Sequence, residues 1–284
     1  MQHKNYFFFI LIPICIFCPH CSEDNPSIPK QSSGEFSLLT YNVAGLPQGI
    51  SPSNPEYNIP LISPLLNKFD IAMVQEDFFY HNELKSKAQH PYQSLPQKGP
   101  SQFIFGDGLN RFSNFPFTSF YRETWQLCSN ENGNDCLATK GFSVAETEIA
   151  PGVVLDIYNL HLDSGGSQKD FEARRSQIQQ LLQSLNARSV KKAVIVAGDI
   201  NLNITSRSED IILLQLLLLG AGLSDTCRFL SCGNELVDRV LFRDSGSLHL
   251  RPISWQIDTD FVDKQGRPLS DHAAISVKFS WEFN

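Results

Sequence analysis

The sequence predicts an α/β protein, and three observations carry the prediction. Short runs rich in Val, Ile, Leu and Phe recur along the chain, several of them apolar at nearly every position, as in strands covered on both faces. Segments with apolar residues at helical spacing alternate with these runs, most clearly from Asp170 to Ala187. Several runs also stop abruptly in an acid, an amide or a histidine, and in parallel or mixed sheets such strand ends form the rim where ligands are held. With 284 residues, 42% hydrophobic and 19% charged, the chain has a globular composition with room for one large domain.

At the N-terminus, MQHKNYFFFILIPICIFCPHC holds a short polar stretch with Lys4 and then an apolar run from Tyr6 to Phe17. The run is too short to span a bilayer and fits an export signal, so residues 1–21 are expected to be a signal peptide. Cysteines at 15, 18 and 21 precede a polar stretch, 22–34, that reads as a flexible tether. The arrangement is similar to that of a bacterial lipoprotein, whose first mature residue is a lipidated Cys, although Cys18-Pro19-His20 departs from the usual small residues. The expectation is export, to a secreted state or to a membrane through a lipidated Cys21.

Residues 35–284 then read as one domain, without repeats or a dividing linker. Strands are predicted over 36–41, 71–76, 102–106, 141–148, 153–160, 193–198, 236–242 and 273–279. Helices are predicted over 59–69, 170–187 and 211–219. The last, rich in leucine, follows start signals at Ser208, Glu209 and Asp210, stops at Gly220 and is too short for a membrane span. Export permits disulfides, and the domain's cysteines form two local pairs, Cys128 with Cys136 and Cys227 with Cys232, each expected to close a small polar loop; buried free thiols are the alternative.

Charge narrows the function. A net charge of −7 argues against a sequence-reading DNA-binding protein, which carries a basic face, but not against a nuclease whose bound cation supplies positive charge locally.

The strongest local signal is AVIVAGDINLN, Ala193 to Asn203, in which a buried strand ends in Asp199 and Asn201. Similar junctions put Asn42 after FSLLTY, Glu76 after DIAMVQ, His161 and Asp163 after VVLDIYNL, Asp238 after LV, and Asp271 and His272 after LS. One such junction is commonly a turn, whereas the whole set points to a shared site. The ordered set, N…E…HxD…GDxN…D…SDH, resembles the endonuclease/exonuclease/phosphatase superfamily, the fold of DNase I-like nucleases, sphingomyelinases and inositol phosphatases, over about residues 36–280. The resemblance implies a four-layer α/β/β/α sandwich of two mixed β-sheets flanked by helices.

It also implies roles. Phosphate-ester hydrolysis needs an activated water, neutralised phosphoryl oxygens and help for the leaving oxygen. Glu76 and Asn42 match the positions that hold Mg²⁺, with Mn²⁺ as a substitute; Asn42 supplies a neutral oxygen or orients Glu76, and Asp271 matches a position that contacts the metal site. His272 is the candidate base and Asp238 the carboxylate that fixes its tautomer. His161 would face the phosphoryl oxygen, while Asp199 and Asn201 would orient the water or stabilise the transition state. Asp163 either touches the site or caps the SGGSQKD turn before the helix at 170.

Within the superfamily, YNVAGLP, GDGLNRFSNFPF and WQLCSNENGNDCLATKGFSVAETEI are most similar to secreted bacterial sphingomyelinases, which implies a monomeric enzyme and a phospholipid substrate. Lys140 then meets a substrate phosphate or a backbone carbonyl, or is simply solvated. Membrane-acting members carry an exposed hairpin tipped with aromatics; here SWQIDTDFVDKQGRPLSDH offers only Trp255 and Phe261 among acids, so attack on intact bilayers is not expected and a soluble or dispersed phosphodiester is the alternative substrate. The competing reading is an extracellular nuclease, for which Arg111, Arg122, Arg174, Arg175, Arg207, Arg228 and Arg239 are scattered candidates for a phosphate-tracking groove; Arg174 and Arg175 open a helix whose buried side suits neither. A non-catalytic binding protein on the same fold is the third.

Overall fold

A computed structural model of the chain describes Met1 and residues 31–101, 104–131 and 134–284. The expected signal peptide after Met1, and residues 22–30 of the expected tether, therefore lie outside the described residues. In chain order the strands are β1 (Ser33–Asn42), β2 (Ile71–Gln75), β3 (Tyr92–Gln93), β4 (Asn110–Ser113), β5 (Phe117–Thr124), β6 (Gly141–Ala150), β7 (Val153–His161), β8 (Val194–Asp199), β9 (Ser224–Asp225), β10 (Asp238–Arg243), β11 (Leu248–Ile257) and β12 (Ile275–Phe283). The helices are α1 (Pro55–Leu65), α2 (His81–Lys85), α3 (Gln168–Arg188), α4 (Ser208–Ala221) and α5 (Thr226–Phe229).

The strands form two 6-stranded sheets, ordered β11-β12-β1-β2-β4-β3 and β5-β6-β7-β8-β10-β9. Both are mixed, since β1 pairs β2 and β7 pairs β8 in parallel while their other partners run antiparallel. The sheets pack face to face through Phe36, Ile71, Ile157, Ile195, Val240 and Phe279. Ile59, Ile62 and Leu66 bury α1 against the outer face of the first sheet, and Ile178, Leu181, Leu213 and Leu217 bury α3 and α4 against that of the second. The result is the expected four-layer α/β/β/α sandwich, with apolar contact on both faces of its central strands.

Several boundaries differ from the sequence reading. β1 begins at Ser33, inside the stretch assigned to the tether, because its first residues pair with the chain's last strand from Ser33 opposite Glu282 onward. The helix expected over 59–69 starts earlier, at Pro55, whose fixed φ suits a first helical position, and tightens into a 3₁₀ turn over Leu66–Lys68. No strand spans 102–106 among the described residues; Ser101, Ile104 and Phe105 make only isolated bridges, beside Gly99, where a Cβ would lie 1.6 Å from the Ile104 carbonyl oxygen. β4, β5 and β11 were not anticipated: β5 and β11 are sheet edges with one side toward solvent, and β4 buries the polar sequence NRFS.

Two further corrections concern polar residues. Arg174 is 1% exposed on α3, contrary to the expectation that the buried side would not take it. It donates to the carbonyls of Asp163, Ser164 and Gly165 and pairs with the buried Asp210 at 3.4 Å. Asp163 does not cap the turn before that helix. The cap is Ser167, which exchanges hydrogen bonds with Asp170, while Asp163 accepts from Gln177 and from the backbone N–H of Ser129. Both cysteine pairs are bridged, with Cα separations of 5.5 Å and 5.0 Å.

Candidate active site

Strand register gathers the predicted polar residues at one end of the sandwich. His161 ends β7 opposite Asp199, which ends β8, and Asp199 stands opposite Asp238, which opens β10. In the facing sheet, Asn42 ends β1 beside Gln75, the residue before Glu76. Asp271 and His272 lie in the turn that feeds β12, tied to β1 by the Ser270 hydroxyl, which donates to the Asn42 carbonyl at 2.7 Å.

Asn42 bridges the two sheets. Its amide nitrogen donates to Glu76 Oε1 at 3.1 Å and to Asp199 Oδ2 at 3.2 Å, while its oxygen accepts from the Ala44 N–H. Of its two expected roles, this geometry is that of an orienting group. Glu76, Asp271, His272, His161, Asp199 and Asn201 all line a cavity of about 540 Å³, with Asn42 and Asp238 bonded directly behind them. Asp163 does not line it, its carboxylate being spent on α3 and the Ser129 backbone.

The backbone is bent to make this presentation. Ala44, Glu76 and Asn201 have φ values of 49°, 56° and 48°, a left-handed conformation that costs non-glycine residues on the order of 1–3 kcal/mol each and clusters at functional sites. Around Glu76 the bend is held by Gly45 N–H to the Glu76 carbonyl at 3.1 Å and Asp77 N–H to the Gly108 carbonyl at 3.0 Å. Asp77 anchors it inward, accepting from Asn110 at 2.7 Å and pairing with His81 Nδ1 at 2.5 Å. No periodic pattern marks this clamp, since its members come from a turn, a short helix and a strand.

His272 Nδ1 lies 2.8 Å from Asp238 Oδ2, and its Nε2 lies 3.7 Å from Asp199 Oδ2. Burial by itself would push this imidazole down, but Asp238, with Asp199 and Asp271, outweighs it and carries His272 up to about 10. Burial also pushes Asp238 up, reinforced by the Asp199 carboxylate. At Asp199, burial is outweighed by its neighbours, His161 first and then His272 and Lys140, which hold its carboxyl well below the usual range.

Opposite this pair, Lys140 is buried and lines the cavity, in contact with Asp135 and 3.0 Å from His161 Nε2. It is neither solvated nor bound to a backbone carbonyl. Asp135, which the sequence reading missed, adjoins Cys136 in the disulfide-closed loop and accepts from the Ser164 N–H and hydroxyl, both at 3.0 Å. Its proximity in sequence to that cysteine was the available signal.

These residues fit a hard divalent cation. Ligand atoms of Asp199, Asp238 and His272 lie within 4.8 Å of one another, Asp238 Oδ1 is buried without a protein partner, and Glu76 and Asp271 add carboxylates at the cavity wall. An oxygen-rich set of this kind suits Mg²⁺.

No family model matches the chain. A sphingomyelinase of Mycobacterium tuberculosis is 33% identical over 274 residues, covering 88% of this chain and 53% of the relative. The chain thus spans about half the length of the curated relatives it matches. Among solved structures, sphingomyelinase C from Streptomyces griseocarneus superposes with a TM-score of 0.65 at 18% identity, covering 86% of this chain and 99% of that one. Beta toxin from Staphylococcus aureus with bound magnesium ions gives 0.63 at 16%, covering 86% and 99%. TDP2 from D. rerio with a single-strand DNA product gives 0.67 at 19%, covering 86% and 98%. The fold is that of the DNase I-like, endonuclease/exonuclease/phosphatase class. Within that fold class the chain is similar in sequence to the mycobacterial sphingomyelinases over about half of their length.

Proposed function

We propose that this protein is an exported, monomeric, Mg²⁺-dependent phosphodiester hydrolase that acts on sphingomyelin-type phospholipids and releases the phosphorylated head group. The observation that carries the reading is His272, fixed by Asp238 at 2.8 Å on one wall of a cavity that also receives Glu76, Asp271, Asp199, Asn201 and His161.

Glu76 and Asp271 hold the metal, with Asn42 orienting Glu76. When bound, the ion supplies positive charge for the phosphoryl oxygens and lowers the pKa of water. The chain's own residues do the rest. Asp238 keeps the His272 Nδ1–H; the charge of a cation bound beside Asp199 and Asp271 would oppose the imidazolium that these carboxylates favour in the metal-free protein and leave Nε2 to accept a proton from the attacking water. Asp199 and Asn201 orient that water, Asn201 being held by donation to the Leu162 carbonyl at 2.9 Å. His161 and Lys140 face the phosphoryl oxygens and favour the charge that builds there.

A nucleic-acid substrate has less support. Six of the seven arginines proposed for a phosphate-tracking groove have partners within the protein: Arg111 is buried on the Ile157 carbonyl, Arg122 pairs with Asp107, Arg174 and Arg207 with Asp210, Arg228 with Glu235, and Arg239 with Asp225, while Arg175 is exposed on α3. The apolar run before Phe17 supports export, and Cys21 is the position for a lipid anchor.

The test is a parallel assay of the purified protein with Mg²⁺ on sphingomyelin, phosphatidylcholine, plasmid DNA and RNA, with His272→Ala as control. Hydrolysis of sphingomyelin that His272→Ala abolishes is the expected result. Cleavage of nucleic acid alone would overturn the lipid assignment.

A further inference from the structure

The segment between β11 and β12, where membrane-acting relatives carry an aromatic hairpin, presents no such tip, as expected from its acidic sequence. Phe261 is 4% exposed and packs edge-on against Tyr41 at 4.8 Å, beneath the acidic loop between β11 and β12. Large exposed apolar side chains gather instead at the mouth of the catalytic cavity, from loops that the sequence reading left without a role.

Ile50 comes from the loop after β1, Phe78 and Phe79 from the bend after β2, and Leu137 directly follows the Cys128–Cys136 loop; Ile50, Phe78 and Leu137 line the cavity. Phe105 joins them, its ring 5.7 Å from Phe78 and 6.4 Å from Phe79, and its N–H donates to the Leu137 carbonyl at 2.8 Å. Ile50, Phe79 and Leu137 stand 67%, 61% and 49% exposed. Exposed apolar groups that converge from separate loops on a single cavity mouth mark an interaction surface rather than scattered surface residues.

From this rim we infer that the protein docks on zwitterionic phospholipid bilayers, with Ile50, Phe79 and Leu137 entering the interface and the cavity opening onto the lipid head groups. The inference rests on the proposed function, in that the cavity floor is where a lipid phosphodiester is cleaved. The rim and floor divide the cavity into an apolar mouth and a polar base, the order in which a bilayer lipid lifted from its neighbours presents chain and phosphate. Charge selects the kind of surface. A chain of net charge −7 is repelled by anionic bilayers, and the side chains of the rim carry no charge that would offset the repulsion. Docking is therefore driven by apolar burial, is stronger on zwitterionic than on anionic vesicles, and survives high salt.

The experiment is vesicle flotation of the full chain carrying His272→Ala, which prevents turnover, against Ile50→Ser/Phe79→Ser/Leu137→Ser in the same background. Vesicles are phosphatidylcholine with sphingomyelin, or the same with phosphatidylserine. The expected result is a loss of binding of at least about tenfold in the triple variant, with an unchanged thermal midpoint and weaker binding to the anionic vesicles. If the triple variant fails to fold, Phe79→Trp decides: its added emission shifts to the blue on phosphatidylcholine–sphingomyelin vesicles. Vesicle binding that the triple variant retains would overturn the inference, as would an unshifted Phe79→Trp or a rim that closes a dimer in solution without binding vesicles. A wild type that hydrolyses dispersed sphingomyelin but ignores vesicles refutes the docking surface alone; one that binds vesicles through the rim but cleaves no phospholipid refutes the proposed function alone.

Discussion

Asp238 Oδ2 sits 2.8 Å from Nδ1 of His272, and the two residues come from opposite sheets, one opening β10 and the other preceding β12. The sandwich must be closed for this pair to exist. Asp238→Asn would leave the packing intact but offer the imidazole a group with a donor as well as an acceptor. We predict a fall in kcat of about 10²- to 10⁴-fold, with a thermal midpoint below wild type at neutral pH that converges on it near pH 10. Steady-state kinetics and calorimetry on the one variant check both halves.

The same pair sets a pH dependence of stability. His272 is raised in the folded state to about 10 from an ordinary value of 6.5, so folding favours its protonated form. Its contribution is fully present below pH 6.5, shrinks as pH rises, and is lost above about 10. In metal-free protein the gap in thermal midpoint between wild type and His272→Gln is predicted to narrow steadily across that window. A gap that is constant from pH 6 to 10 would contradict the assignment.

Gly45 controls the bend that presents Glu76. A Cβ there would lie 2.5 Å from the Glu76 carbonyl oxygen, which the Gly45 N–H itself binds at 3.1 Å. Gly45→Ala is predicted to weaken Mg²⁺ binding by tenfold or more and to cost about 1–3 kcal/mol of stability, read by calorimetric titration and by urea unfolding.

Asp135 acts on the site through Lys140. The carboxylate holds the ammonium against His161, and the loop that carries it is closed by Cys128 and Cys136. Asp135→Asn is predicted to lower kcat about tenfold, and Asp135→Asn/Lys140→Ala to be no slower than Lys140→Ala alone. Additive losses in this cycle would separate the two residues.

The legible part of this molecule was the part set by local pattern. The apolar runs at 71–75, 153–161 and 194–199 show their strands because both faces are covered, and the polar residue that reaches the cavity ends the last two and directly follows the first. Edge strands such as β5 and β11 hid because half their residues face solvent. Partnerships across the sheets were harder still. Glu76, Asp199, Asp238 and His272 were recognisable as an ordered set, but the Asn42 amide that joins Glu76 to Asp199 spans 157 positions to Asp199, and no local pattern encodes such a distance. Arg174 shows the same limit: a cation on a buried helix face becomes tolerable only once three carbonyls and Asp210 are brought to it.

The account stands on the convergence of these acids on one divalent ion, and calorimetric titration of Mg²⁺ into wild type and Glu76→Gln tests it most directly. Saturable heat in the wild type that disappears in Glu76→Gln, with both proteins folded, is the predicted result. Equal heats in the two proteins, or none in the wild type, would contradict it.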